Sequence, residues 1–209
     1  RGLLTLNYPN LEVVVINDGS NDASMAVLSE QFDLTPTHPI YNRRIETKQV
    51  RNLYRSRSYP RLVVVDKENG GKADALNVGL NVATGELVCA VDAGTLIEPD
   101  AIQRMVRPFL TNDDVVAAGG TVRVINSCRV VQGRVVTVRA PQRPVPGFQV
   151  DEYMRSFMFG RLGWNRLGGN LIISGAFGLF RREAIVAAGG YAHDTVGEDM
   201  ELVLRLRRQ

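Results

Sequence analysis

Carboxylates set directly after apolar runs, and one lysine inside a glycine turn, are the residues of this chain best placed to do chemistry. Three runs end on aspartate: Val13-Val14-Val15-Ile16-Asn17-Asp18, Leu62-Val63-Val64-Val65-Asp66 and Leu87-Val88-Cys89-Ala90-Val91-Asp92. A carboxylate at a strand end can take a proton from a hydroxyl or ligate a hard cation. In open α/β sheets the ligand crevice lies outside the carboxyl ends of the strands. The spacing therefore aims the three aspartates at one crevice. Aspartate is also a common turn and capping residue, and for Asp66 the two readings weigh equally. Asp18 leads into the tight turn Gly19-Ser20-Asn21-Asp22, and Asp92 into Ala93-Gly94-Thr95.

The lysine is Lys72, in Glu68-Asn69-Gly70-Gly71-Lys72 between an apolar run and a helical stretch. Backbone N–H groups of such a turn and the helix N-terminus behind it favour anions, and lysine adds a charge, so the segment suits a diphosphate. It is not a P-loop: the earlier spaced glycine is missing and alanine follows the lysine. A structural Gly-Gly turn accounts for the same residues.

The elements that must position these groups follow from periodicity. Unbroken Val/Ile/Leu runs without polar alternation predict parallel strands covered on both faces. Helices are expected from Ala23 to Phe32, from about Ala73 to Ala83 with Leu76, Leu80 and Ala83 on one face, and from about Pro99 to Leu110 with Ile102, Met105, Val106 and Phe109 inward. Residues 33–60, with three prolines and several arginines, read as an irregular exposed connection. Val115–Val124 and Arg129–Arg139 each read as one strand, the latter with a solvated arginine face. Tyr153, Met154, Phe157, Met158 and Phe159 form a stripe read as core. Ile172–Phe180 reads as a strand, Gly189-Gly190 as a helix stop, and Thr195-Val196-Gly197-Glu198 as a capping box opening a last helix. Arg1–Leu6 reads as the end of a helix, which implies a first strand upstream.

With 44% hydrophobic residues over 209 positions, the chain can bury a core of the size of one α/β domain. A net charge of +3 with interspersed signs argues against a nucleic-acid partner despite a pI of about 9.1. Lysine occurs only at positions 48, 67 and 72. Two unpatterned cysteines, Cys89 and Cys128, make neither a disulfide framework nor a zinc site. No apolar stretch reaches the roughly 18 to 20 residues of a membrane span.

Five ordered motifs then point one way: Asn17-Asp18-Gly19-Ser20, Gly70-Gly71-Lys72-Ala73-Asp74-Ala75-Leu76-Asn77, Val91-Asp92-Ala93-Gly94, Ser174-Gly175-Ala176-Phe177 and Gly197-Glu198-Asp199. The series resembles the inverting family-two glycosyltransferases of GT-A fold, especially membrane-embedded synthases of the poly-N-acetylglucosamine, cellulose and hyaluronan kind. The resemblance implies an α/β, Rossmann-like, mainly parallel sheet flanked by helices. It implies that Asp18 contacts uridine and that Lys72 and Asp74 hold the nucleotide and diphosphate. Asp92 matches the first aspartate of an Asp-x-Asp element that positions the sugar nucleotide through a divalent cation, Mg or Mn. Asp199 matches the base that deprotonates the acceptor hydroxyl, and Ser174, Gly175 and Ala176 line the acceptor side.

The reaction so implied is inverting transfer from a UDP-sugar to a growing β-linked polysaccharide, at the cytosolic face of the plasma (inner) membrane. Residues 1–112 would form the nucleotide-sugar part and 113–209 the acceptor part. Membrane attachment would come through segments outside this fragment. Two departures keep alternatives open. Gly94 replaces the second aspartate, leaving one fewer ligand for a cation, and the family's Gln-x-x-Arg-Trp element is absent. The alternatives are non-processive transfer to a lipid or oligosaccharide acceptor, and a catalytically silent nucleotide-sugar-binding module.

Overall fold

The computed structural model describes residues 2–131, 134–160, 173–195 and 197–208. In chain order its elements are β1 (Val13–Asp18), α1 (Ser24–Phe32), β2 (Leu34–Thr37), β3 (Val50–Ser56), β4 (Leu62–Lys67), α2 (Lys72–Val82) and β5 (Leu87–Ala90). There follow α3 (Ala101–Thr111), β6 (Ala117–Gly119), β7 (Arg129–Val131), β8 (Arg134–Thr137), α4 (Pro144–Met154), β9 (Gly178–Arg181), α5 (Arg182–Ala187) and α6 (Glu198–Leu206). The chain divides into two compact units, each of two segments: residues 8–88 with 180–209, and residues 1–7 with 89–179.

The first of these units is built on a four-stranded sheet of order β1-β4-β3-β2. β1 runs parallel to β4, from Val13 beside Leu62 to Asp18 beside Lys67. Val63, Val64 and Val65 are buried because both faces of β4 are covered, as their unbroken apolar run requires. Val63 and Val65 pack with Leu53 of β3 and with Val78 and Val82 of α2, and Tyr41 and Val50 cover the edge of that cluster.

The α/β class stands, with a central sheet flanked by helices, but the four-stranded sheet is mixed. β3 pairs antiparallel with β4, and β2 antiparallel with β3. Residues 33–60 are thus not an irregular connection. β3 is half-solvated: Arg51, Asn52 and Arg55 are exposed while Leu53 and Ser56 are buried. Polar residues on its open face disguise it, and the short link from Ser56 to Leu62 suffices because antiparallel neighbours need no crossover helix. Pro36 is tolerated because β2 is an edge strand. α5 ends as expected at Gly189-Gly190, both at positive φ (88° and 80°), where a side chain would be strained.

In the other unit, α3 buries Ala101, Ile102, Met105, Val106 and Phe109, the expected stripe. Arg129–Arg139 is not one strand. β7 and β8 pair antiparallel as a hairpin with every side chain of both strands exposed, and residues 132 and 133 between them lie outside the described residues. The segment 115–124 contributes only the short β6.

α4 starts at Pro144, where a helix's first N–H needs no partner and proline fits, and a π-helical turn continues it over Arg155–Gly160. The aromatic stripe is not core where it is described: Met154 is exposed, and Tyr153 and Phe157 are half-buried and meet edge to face at 5.5 Å. Residues 161 and 162 of that segment lie outside the described residues. Gly2–Thr5 forms a short 3-10 turn. A three-stranded sheet has the order β5-β9-β6. Among the described residues no helix is long and apolar enough to cross a membrane.

Candidate active site

The parallel register of β1 and β4 sets two polar pairs side by side where their apolar runs end. Asn17 Nδ2 donates to Asp66 Oδ1 at 2.7 Å, which ties Asp66 to the neighbouring strand. One residue further, Lys67 Nζ donates to Asp18 Oδ1. The Lys67 side chain has 0% exposure. Its ammonium also donates to the Glu68 carbonyl at 2.5 Å and approaches Asp74 Oδ1 at 2.6 Å, an ion-pair contact rather than an aligned hydrogen bond. A lysine is held so deep only when opposite charges surround it.

Asp18 passes that order on to the glycine turn. Gly70 N–H donates to its Oδ1 at 3.0 Å and Gly71 N–H to its Oδ2 at 2.8 Å, while Asn69 Nδ2 donates to its carbonyl at 2.9 Å. Two glycines are required here. A Cβ on Gly19, at φ +70°, would stand 2.7 Å from Asn69 N, and one on Gly70 would stand 2.6 Å from the Asp74 carboxyl carbon. The turn delivers Lys72 at the first position of α2, half-exposed, its Nζ 3.0 Å from Glu198 Oε1.

α2 then buries a polar stripe. Asp74, 3% exposed, accepts from Lys48 N–H at 3.0 Å. Asn77 exchanges two hydrogen bonds with the Tyr191 backbone, at 2.9 and 2.7 Å. Asn81 accepts from Arg44 and Ile45 N–H groups and donates to the Ile45 carbonyl. These three side chains clamp residues 44, 45 and 48 and the turn after α5 onto one helix.

α6 presents Glu198 and Asp199 in its first turn. Arg205 fixes its other end, pairing with Glu201 at 2.6 Å and donating to the Ala188 and Gly190 carbonyls, the latter at 2.6 Å. Asp199 is half-buried and its Oδ1 accepts from Met200 N–H at 2.9 Å. The expected capping box is altered: Thr195 Oγ1 accepts from Gly197 N–H, the helix starts at Glu198, and Val196 lies outside the described residues. A cavity of about 430 Å³ in the same unit, lined by Thr37, Tyr41, Leu53, Val63, Val82 and Arg182 among others, contains none of the expected site residues.

The remaining expected site residues belong to the other unit. Asp92 is exposed in a turn closed by Thr95 N–H donating to its carbonyl at 2.9 Å. Gly94 has no positive φ, and a Cβ there would meet nothing within 4 Å. Desolvation pushes the Cys89 thiol up to about 12. Ser174, Gly175 and Ala176 are half-buried in a turn rather than a strand, because Phe177 N–H closes back on the Ser174 carbonyl at 3.1 Å and β9 begins only at Gly178. Residue 172, where that strand was expected to start, is outside the described residues. No group of three or more His, Cys, Asp or Glu side chains gathers as a metal centre among the described residues.

The profile of the family described as Glycosyl transferase family 2 matches residues 1–187. The chain belongs to glycosyl transferase family 2. The match covers β1, the glycine turn, Asp92 and the 174–177 turn, and stops short of α6. Poly-beta-1,6-N-acetyl-D-glucosamine synthases from Staphylococcus epidermidis (strain ATCC 35984) and Staphylococcus aureus (strain COL) are 28% and 26% identical over 205 residues, 98% of this chain. The chain spans 40% of the length of these relatives. The fold is shared with the mannosyltransferase PcManGT from Pyrobaculum calidifontis, solved in complex with GDP-Man and Mn2+, at a TM-score of 0.62 and 22% identity. That match covers 98% of this chain and 46% of the other.

Within this family-2 domain, the sequence reading named Asp18, Lys72 and Asp74 but not the residues that pair with them: Lys67 with Asp18 and Asp74, and Glu198 with Lys72. The one available signal for Lys67 was its rarity, as one of three lysines, just past the aspartate that ends an apolar run.

Proposed function

We propose that this family-2 domain transfers a sugar, with inversion, from a UDP-sugar to a growing β-linked polysaccharide. The observation that carries the reading is the turn Asn69-Gly70-Gly71, seated on Asp18 and opening into Lys72 at the start of α2. Such a turn suits the diphosphate of a nucleotide donor, with Lys72 as its counter-charge. Asp18 and Asp74 serve the nucleotide, Asp18 by holding the Gly70 and Gly71 amides and Asp74 by fixing the start of α2. Residues 1–112 supply the nucleotide-sugar part and residues 113–209 the acceptor part, with Ser174, Gly175 and Ala176 on the acceptor side.

Asp199 acts as general base, taking the acceptor hydroxyl's proton as the oxygen attacks the anomeric carbon and the UDP leaves from the opposite face. A single displacement needs only this one carboxylate as base. Positioning and electrostatic stabilisation of the leaving diphosphate then supply most of the acceleration. Asp92 is an accessible, hard oxygen ligand that fits Mg2+ or Mn2+ as a single protein carboxylate, the rest of the shell coming from diphosphate and water. When bound, such a cation would offset charge on the departing diphosphate. The polysaccharide acceptor is proposed from the likeness to the staphylococcal synthases, and an attachment to the cytosolic face of the plasma membrane from the resemblance of the five motifs to membrane-embedded synthases.

The test is a transfer assay of the intact protein with UDP-N-acetylglucosamine, other UDP-sugars and GDP-mannose, following nucleotide release and the anomeric configuration of the product by NMR. Release of UDP with a β-linked product from an α-linked donor is expected. An α-linked product, or turnover with the GDP-sugar alone, would overturn the reading.

A further inference from the structure

We propose that Lys67 is the positioning residue of the nucleotide-diphosphate cradle: its buried ammonium holds Asp18 and Asp74 so that the Gly70 and Gly71 amides and Lys72 stand ready for the donor. The proposal rests on the donor reading above and adds to it a residue that needs no contact with the donor.

Lys67 has 0% exposure, so no ligand needs to touch it and none could without disrupting the sheet end. The ammonium donates to Asp18 Oδ1 and, at 2.5 Å, to the Glu68 carbonyl, and pairs with Asp74 Oδ1 at 2.6 Å. These acceptors sit on three different pieces of chain: the end of β1, the residue after β4, and the first turn of α2. From Asp18 the order continues to Gly70 N–H and Gly71 N–H at 3.0 and 2.8 Å, and from Asp74 to Lys48 N–H at 3.0 Å.

Asp18 therefore stands between a cation behind it and two amides in front. Without the ammonium, the partly exposed Asp18 carboxylate and the buried Asp74 carboxylate would face each other with no cation between them, and like charges so placed push apart. Asp18 would swing from the glycine amides. The turn would lose the groups that fix its shape, and Lys72, one residue beyond Gly71, would lose its fixed starting point. Arginine cannot substitute simply, since its planar fork is larger and needs a different set of acceptors. A purely structural lysine would lower the melting temperature and leave donor affinity in the folded protein unchanged; a positioning lysine alters both affinity and local order at the turn.

The experiment uses Lys67→Met, which keeps length and removes the charge, in the intact protein well below its melting temperature. UDP affinity is measured by calorimetry and amide exchange by mass spectrometry. The expected result is UDP binding weakened at least about tenfold, the acceptor KM within about twofold, and exchange at Gly70 and Gly71 accelerated while Val63–Val65 stay protected. UDP affinity within about twofold of the parent, or faster exchange spread evenly over β4 and the turn, would overturn the proposal. If Lys67→Met does not fold, Lys67→Met with Asp74→Asn relieves the facing carboxylates, and its affinity is compared with Asp74→Asn alone. Equal affinities would again overturn it. A parent protein that binds no UDP defeats the donor reading itself, and Lys67 as its positioning residue with it. A parent that binds UDP beside an unaffected variant defeats only the role of Lys67.

Discussion

Asp18, Lys67 and Asp74 place one ammonium against two carboxylates, so removing Lys67 leaves the buried Asp74 carboxylate uncompensated and is expected to cost about 3–5 kcal/mol, read from the shift in a denaturant-unfolding midpoint. Asp199 differs from all three, half-buried at a helix start, where its Oδ1 accepts from Met200 N–H. Its substitution should therefore separate chemistry from folding. Asp199→Asn is expected to leave UDP affinity nearly unchanged and lower transfer at least about a hundredfold, the scale of a lost general base; unchanged turnover in a steady-state assay would remove Asp199 from the reaction. Gly94 invites the reverse experiment. Because its Cβ would meet nothing within 4 Å and its φ is not positive, Gly94→Asp should fold normally, with a melting temperature within about 2 °C of the parent. The added carboxylate, two residues from Asp92, should lower the Mn2+ concentration for half-maximal turnover. An identical metal titration in a folded variant would end the case for the 92–94 turn as a cation site.

α2 shows what an element contributes beyond its helical period. Its limits, Lys72–Val82, fall within one residue of those expected, but the face it buries does not follow the apolar pattern. Asp74, Asn77 and Asn81 are buried on it, and Leu76 is only half-buried. A search for apolar spacing passes over such residues, because their partners are backbone groups near Ile45 and Tyr191, far away in sequence. β3 was hidden for a related reason: its arginines and asparagine face water, and only Leu53 and Ser56 turn inward. By contrast β1, β4, α3 and the Gly189-Gly190 stop were legible, since each rests on local chemistry alone. The clamp has a measurable weight. Asn77→Ala strands both the N–H and the carbonyl of Tyr191, each worth about 1–3 kcal/mol when left unpaired in the interior. The melting temperature should fall by roughly 5 to 15 °C. Asn77→Asp, which keeps the acceptor for Tyr191 N–H and loses the donor, should fall between the two; a change under about 2 °C for Asn77→Ala would show that the amide is not clamping that turn.

At the scale of the whole chain, the α/β class was readable from unbroken valine runs, whereas the division into two interleaved units was not, because nothing in composition changes at residues 88 or 179. Each unit is discontinuous, and this shapes how stability is distributed. The unit of residues 8–88 and 180–209 must bring its two segments together across the excursion of residues 89–179. The entropy of closing a flexible loop that long is roughly 4 kcal/mol and grows only logarithmically with its length. The four-stranded unit also holds the most deeply buried strand, with Val64 and Val65 at 0% exposure, while β7 and β8 expose every side chain. Local opening follows buried contact, so hydrogen exchange should be slowest at the amides of Val63–Val65 and fastest, among strand amides, at the β7/β8 hairpin. Mild denaturant should open the 89–179 segment before the β4 core, giving at least two classes of exchange. One common protection factor across both units, falling together as denaturant rises, would instead make the chain a single cooperative body and set aside the argument from its interleaved segments.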